Sequence, residues 1–308
     1  MDFGKLPPHA DLSRVDFRLP ALPPAPVLTR SGEAAGPRGP ADIHVGAPIW
    51  SQKQWLGRVY PQGTRPQDFM SLYTRQFNGI ELNTTHYHIP TPEAVSEWRR
   101  HSPPGFRFSP KFPQEISHHR ELLKCEPLTD AFCNAVGCLG DRLGAPFLQL
   151  SPGFGPDRLN VLEEYLETLP PGFPLCVEFR HPRWFNNGRL RPDAVTVLEK
   201  AGAGTVITDT AGRRDVVHAN LSAPRVLIRF VGNQLDSTDY SRIDAWVERL
   251  VIWLDAGLRE LFFYIHQPDN DVAPELISYF IEKLNATGRA ALKDWERKDR
   301  GTQLGLFG

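Results

Sequence analysis

Residues 175–210, LCVEFRHPRWFNNGRLRPDAVTVLEKAGAGTVITDT, decide the fold. They open on a strand pattern, LCVEFRH (175–181), and close on a second, GTVITDT (204–210). Between them lies an amphipathic helical stretch, 191–201. Pro192 sits at its start, where a missing N–H costs little, and Gly202 marks the turn that follows. Strand, helix and strand in that order predict a parallel βαβ unit.

The rhythm continues in both directions. Strand patterns recur at IHVGAPIW (43–50), GIELNTT (79–85), FRFSPKF (106–112), FLQLS (147–151), RVLIRFVG (225–232) and ELFFYIH (260–266), which makes eight. Helical stretches are predicted at 66–77, 92–101, 126–142, 157–168, 239–256 and 272–285. The sixth unit is irregular, because residues 211–224 (AGRRDVVHANLSAP) read as loop. Eight units of this size predict an α/β fold of the TIM-type (β/α)8 barrel class. A doubly wound sheet would carry a G-x-G-x-x-G turn after its first strand, and the sequence has none there.

The chain has 308 residues, with 35 Lys+Arg against 36 Asp+Glu. A net charge of -1 gives no global attraction to nucleic acid or anionic lipid. The 41% hydrophobic and 23% charged composition is that of a globular protein. No apolar run is long enough to span a bilayer, and the N-terminus lacks a secretory signal, so no membrane partner and a cytoplasmic location are expected. Cys125, Cys133, Cys138 and Cys176 are therefore expected to be thiols, and no C-x-x-C pair suggests zinc. The first 41 residues hold 8 of the 29 prolines and predict an extended arm, either a free leader or a strap anchored by Phe17, Leu19, Leu22 and Leu28. The barrel is expected over 42–287, with a charged, flexible tail over 288–308.

Alternate residues of a strand face opposite sides. One set here is apolar and suits a helix-facing surface: Ile80, Leu82, Phe106, Phe108, Leu148, Leu150, Val177, Phe179, Val226, Ile228, Phe230, Leu261, Phe263 and Ile265. The other is polar: Glu81, Asn83, Lys111, Gln149, Glu178, Arg180, Asp209, Arg229, Tyr264 and His266, with His44 and Gly46 on the first strand. Gly46 would leave room beside it. Two readings compete, an ion-pair plug and a solvent-filled substrate site. Desolvation makes a plug a poor source of stability, so the site is preferred, at the carboxyl ends of the strands.

Several chemistries suit these residues. Arg180, Arg229 and Lys111 can hold a phosphate or other anion. Trp50, Tyr87 and Trp184, near strand ends, could stack a base or sugar, against the plainer reading of loop anchors. Asn83, Gln149, Asp209 and His266 complete the expected substrate-binding set. Glu81 and Glu178 are expected as a general acid/base pair, with His181 or His118 as proton donor. No cofactor is predicted. A divalent metal on Glu81, Glu178, Asp209, His181 and His266 is a lesser alternative, because three cations compete for the same carboxylates. No G-x-S-x-G elbow supports a serine nucleophile.

At these residues the chain resembles the YecE-like family of bacterial proteins. The blocks are IHVGAPIW followed by Trp55 and Tyr60, then GIELNTTHYHIP, FRFSPKFPQEISHH, LQLSPGFGP, VEFRHPRWF, LIRFVGN and YIHQPDNDVAPEL, in order across residues 43–285. The resemblance implies a TIM-type barrel with polar residues at one mouth, and carries no settled activity. The chain departs from the family's pattern at Val231, where many members have histidine before the glycine.

The sequence ends GTQLGLFG, in which Gln303, Leu304, Leu306 and Phe307 resemble the bacterial sliding-clamp-binding motif. The plainer reading folds these residues back onto their own domain. Together the observations predict an enzyme acting by acid/base chemistry on a phosphate-bearing substrate, a nucleic-acid-derived one included, and tethered to the clamp. The alternatives are a non-catalytic ligand- or DNA-binding adaptor recruited to the clamp, and a carbohydrate-active hydrolase.

Overall fold

The structure, a computed structural model, describes residue 4 and residues 6–7, 10–23 and 40–296. Eight long-range strands follow the sequence expectation: β1 (Asp42–Gly46), β2 (Gly79–Leu82), β3 (Arg107–Pro110), β4 (Phe147–Gln149), β5 (Cys176–Glu178), β8 (Gly204–Asp209), β9 (Arg225–Val231) and β10 (Glu260–His266). A small hairpin not foreseen in the sequence, β6 (Phe185–Asn186) and β7 (Arg189–Leu190), interrupts the numbering. The helices are α1 (Phe69–Gln76), α2 (Pro92–Arg100), α3 (Glu126–Gly137), α4 (Leu159–Glu167), α5 (Pro192–Lys200), α6 (Ser237–Ala256) and α7 (Ala273–Ala286). The stretch expected as one helix over 126–142 stops at Gly137 and resumes as a 3-10 turn at Gly140–Arg142. After β8 a 3-10 segment, Ala211–Val216, replaces a helix, as the loop-like sequence there foretold.

Six strands form one parallel sheet in the order β1-β10-β9-β8-β5-β4, and β2 and β3 form a parallel pair. Backbone bonds tie that pair to β4, with Phe112 N–H donating to the Phe147 carbonyl at 2.9 Å and Gly144 N–H to that of Phe108 at 2.8 Å. On the other side, side chains do much of the joining to β1. Asn78 accepts from Val45 N–H at 2.7 Å and donates to the Ile43 carbonyl at 2.8 Å. The Tyr73 hydroxyl accepts from Ala47 N–H at 2.7 Å and donates to the Gly79 carbonyl at 3.0 Å. Gly46 allows this close approach. A Cβ there would overlap the Gly79 carbonyl and the Tyr73 hydroxyl, so the expected room is filled by the neighbouring strand.

The apolar strand set packs under the helices, as expected. Ile80, Phe108, Ile228, Phe263 and Ile265 join Trp246, Trp253 and Phe280, while Leu148, Val177 and Phe179 join Phe132 and Leu162. The opposite faces carry a separate apolar layer: Ala145, Phe147, Cys176, Val206, Leu227, Phe262 and Tyr264. Cys125, Cys133 and Cys176 are buried, and burial raises all three thiols, the latter two to about 12. These are poor nucleophiles.

The described residues nearest both termini touch the strands and helices. Phe17 faces the guanidinium groups of Arg214 and Arg242 at 5.3 and 5.0 Å. Arg249 donates to the Pro20 carbonyl at 2.7 Å, and Leu19 and Leu22 pack on the core. The Gly4 carbonyl accepts from Thr210 Oγ1 at 2.8 Å and from Gly212 N–H at 2.9 Å. Towards the other terminus, the described part of the segment expected as a flexible tail packs against α7. Asn285 exchanges two hydrogen bonds with the Leu292 backbone, and the buried Trp295 indole donates to the Pro274 carbonyl at 2.9 Å. Residues as far as Glu296 therefore dock. Gln303, Leu304, Leu306 and Phe307 lie outside the described residues, as does Leu28.

Candidate functional site

The polar strand residues converge at the carboxyl ends. Arg229 on β9 donates from Nε and Nη2 to Glu81 Oε2 and Oε1 at 3.0 and 2.8 Å, and from Nη1 to Glu178 Oε2 at 3.1 Å. One guanidinium thus spans two carboxylates from β2 and β5, with its cation 5.3 Å from the Phe147 ring centroid. Glu81 also accepts from Asn83 Nδ2 at 2.8 Å and pairs with His266 Nε2 at 2.9 Å. Glu178 accepts from Thr208 Oγ1 at 2.6 Å and from Arg180 Nε at 2.8 Å. Arg180 reaches on to Gln149 Oε1 at 2.8 Å.

This arrangement corrects the picture of an open, water-filled pair of glutamates. Glu81, Glu178 and Arg229 are at most 1% exposed. Burial pushes the Glu81 carboxyl up, but the charges of Arg229 and His266 outweigh it and hold Glu81 well below the usual carboxylate range. For Glu178, burial is again outweighed, here by Arg180 and Arg229. Both are ionised and neither is displaced toward neutral pH, so the division into one acid and one base is absent. Burial lowers Arg180 to about 10.

Arg229 and Arg180 take up these two carboxylates, and Lys111 is the cation left over. Its backbone is clamped, with N–H donating to the Leu82 carbonyl at 3.1 Å and its carbonyl accepting from Thr85 Oγ1 at 2.7 Å. Its side chain belongs to a residue only 7% exposed. Among the described residues, none forms a hydrogen bond or ion pair with Nζ. Burial and then the charge of Arg229 bring this ammonium down to about 7.

Two imidazoles stand beside it, 5.2 Å apart and edge to face. Burial and then Lys111 lower both His86 and His118 to about 4, so both rings are neutral at pH 7. Their tautomers follow from their partners. His86 Nδ1 lies 2.8 Å from the Phe112 carbonyl, which only accepts, so that nitrogen carries the proton. Gln149 offers its oxygen to Arg180, so its amide nitrogen faces His118 Nε2 at 3.4 Å and makes that nitrogen the acceptor. His118 Nδ1–H then bonds Ser117 Oγ at 2.8 Å. Sequence reasoning missed His86. Its signal was the dense HYH run at 86–88, which no strand alternation could assign.

Other expected residues lie elsewhere. Asp209 turns toward α6, where it pairs with Arg242 at 2.9 Å and with Arg214, and accepts from the Trp246 indole at 2.7 Å. Its inward neighbour Thr208 holds Glu178 instead. Trp184 is a buried loop anchor, its indole donating to the Phe154 carbonyl at 2.7 Å and its ring against Phe179. Trp50 packs edge-on to Trp98. His181 caps a short turn, accepting from Arg183 N–H at 3.1 Å. Tyr87 is 71% exposed. Among the described residues, no three His, Cys, Asp or Glu side chains gather as a metal site, and no helix is long and apolar enough to cross a membrane.

A cavity of about 630 Å³ adjoins this cluster at His266. Its walls come from Val231, Gly232 and Gln267 on one side and from Leu6, Pro7 and Leu12 of the N-terminal segment on the other. That volume suits a small-molecule ligand.

Parallel strands alternating with helices, with an ionic cluster gathered at the strands' carboxyl ends, define an α/β protein with its buried charges at one end of the sheet. The chain belongs to the DUF72 family of proteins of unknown function, whose model matches residues 44–300. It is 34% identical over 263 residues to the UPF0759 protein YecE of Escherichia coli K12, covering 80% of this chain and 93% of that protein. It is 24% identical over 151 residues to the UPF0759 protein YunF of Bacillus subtilis, covering 47% and 52%. A DUF72 protein from Thermotoga maritima has the same fold, with a TM-score of 0.64 at 23% identity over 79% of this chain and 99% of that one. One from Enterococcus faecalis gives 0.64 at 20% identity over 83% and 98%.

Proposed function

We propose that this chain is a TIM-type (β/α)8 barrel enzyme that performs acid/base chemistry on a phosphate-bearing substrate. The single observation that carries the reading is Lys111, a residue 7% exposed whose ammonium meets no acceptor among the described residues and lies near the charges of Arg180 and Arg229. An incoming phosphate would supply the missing acceptor. The same amine, poised near neutrality, is the proton-transfer group, with His118 and His86 as neutral relays. Glu81 and Glu178 become positioning residues that hold Arg229 and Arg180. The barrel is read over 42–287, with closure through the β3–β4 and β1–β2 bonds, and a bacterial cytoplasmic location accompanies it.

The test is a thermal-shift series with nucleotides, sugar phosphates and oligonucleotides. A ligand of the native state raises the melting temperature. A phosphate ester should stabilise the parent and lose its effect in Lys111→Met. Equal shifts in both proteins, or none in either, overturn the reading.

The carbohydrate-hydrolase alternative lacks the protonated carboxyl it needs. A non-catalytic ligand- or DNA-binding adaptor recruited to the clamp is favoured by one observation, the full hydrogen-bonding of both Glu81 oxygens. Clamp tethering rests on the residues Gln303–Phe307 alone. Removing 303–308 should abolish capture by the sliding clamp in a pull-down, and unchanged capture removes that proposal.

A further inference from the structure

We propose that Lys111 is a nucleophile that forms an imine with an aldehyde carried by a phosphate-bearing substrate. This deepens the reading above and rests on it. The placement supplies what the reaction requires. The backbone of Lys111 is clamped between β2 and β4, by the Leu82 carbonyl on one side and a bridge to Phe147 on the other. Arg229 and Arg180, on neighbouring strands, already carry carboxylates. Among the described residues, no carboxylate or carbonyl holds the Lys111 nitrogen. A lysine meant only to complete an ion-pair network would have an acid of its own. Here the two acids are taken up by two arginines.

The same surroundings favour the free amine over the ammonium, because burial and two adjacent guanidinium groups penalise a third positive charge. A neutral amine is the reactive form toward a carbonyl. The nitrogen lone pair adds to the aldehyde carbon as the C=O π pair moves to oxygen. Both N–H hydrogens then leave with that oxygen as water, and a C=N bond remains. No electrons are gained or lost. His86, with its proton on Nδ1, presents an Nε2 lone pair that can carry a proton between nitrogen and oxygen, whereas that of His118 accepts from Gln149. The phosphate end would fall to Arg180, 3% exposed, because Arg229 is sealed against its two carboxylates.

Reductive trapping tests this. The full chain is incubated with D-glyceraldehyde 3-phosphate and sodium cyanoborohydride, digested, and mapped by mass spectrometry. The expected result is a secondary-amine adduct on the Lys111 peptide, at least ten-fold above the exposed Lys124, Lys200 and Lys293. It should grow as pH rises through 7, fall with added inorganic phosphate, and be weaker with unphosphorylated glyceraldehyde. Lys111→Arg should keep the fold by melting temperature and lose the adduct. Labelling spread evenly over exposed lysines, or unchanged in Lys111→Arg, overturns the imine. Inorganic phosphate alone separates the two levels. If it raises the melting temperature and no adduct forms, the imine fails and phosphate recognition stands. If it does neither, both fail.

Discussion

Arg229 and Glu81, 148 positions apart in sequence, meet as a two-bonded pair with no exposure to water, Nε to Oε2 at 3.0 Å and Nη2 to Oε1 at 2.8 Å. A carboxylate and a guanidinium taken from water cost several kcal/mol each, and close pairing only offsets this. The pair therefore contributes little net stability while being costly to break.

Arg229→Met should test that asymmetry. It leaves Glu81 and Glu178 facing each other without their shared cation. Urea unfolding should show a loss of about 3–5 kcal/mol. Adding Glu81→Gln and Glu178→Gln to the same chain should recover much of that loss. A single variant as stable as the parent would mean that the cluster is already hydrated.

Lys111→Met should stabilise the protein at pH 6. The folded-state value near 7 lies below the unfolded value of 10.5, so the unfolded chain holds more protons between them. The penalty for burying the charge is complete below pH 7 and fades as pH rises toward 10.5. The gain from Lys111→Met should be on the order of 3 kcal/mol at pH 6 and shrink by pH 10. Denaturant midpoints at several pH values give the answer, and a gain independent of pH would contradict it.

His86 and His118 set a second window. Their values near 4 lie below the usual 6.5, so stability is full above 6.5 and is lost as pH falls toward 4. Each ring should contribute on the order of 1–2 kcal/mol of that loss. The double variant His86→Gln/His118→Gln should flatten the melting-temperature profile between pH 6.5 and 4. An unaltered slope would place the acid sensitivity elsewhere.

Asp209→Asn should separate structure from ligand binding. It removes the charge that holds Arg214 and Arg242, and with them the seat of Phe17. The melting temperature should fall, consistent with about 2–4 kcal/mol for one member of a buried network. The shift produced by a phosphate ester should persist. Loss of that shift would return Asp209 to the binding set.

The alternation of apolar and polar residues makes most of this interior legible in the sequence. Every strand stretch was found, and Glu81, Glu178, Arg180 and Arg229 do converge. Asp209 was misplaced although its register was readable. Ile207, two residues before it, shares its face, and Val206 and Thr208 point inward. The charge of Asp209 at a strand end suggests a site, but alternation places it on the helix-facing side. Trp184 misled because an indole at a strand end can serve a ligand or a carbonyl equally well, and here Phe154 provides the carbonyl. The isolation of Lys111 was beyond sequence altogether. Three cations and two acids can pair in several ways, and only three-dimensional reach decides which cation goes without.

The apolar layer of Phe147, Cys176, Val206, Leu227, Phe262 and Tyr264 is the floor on which the charged residues stand. Its polar groups are few, such as the Tyr264 hydroxyl bonded to Ser109 Oγ at 2.7 Å. Under the proposed reading, a ligand would come and go from the strands' carboxyl ends, and its departure would readmit bulk water to the charged interior.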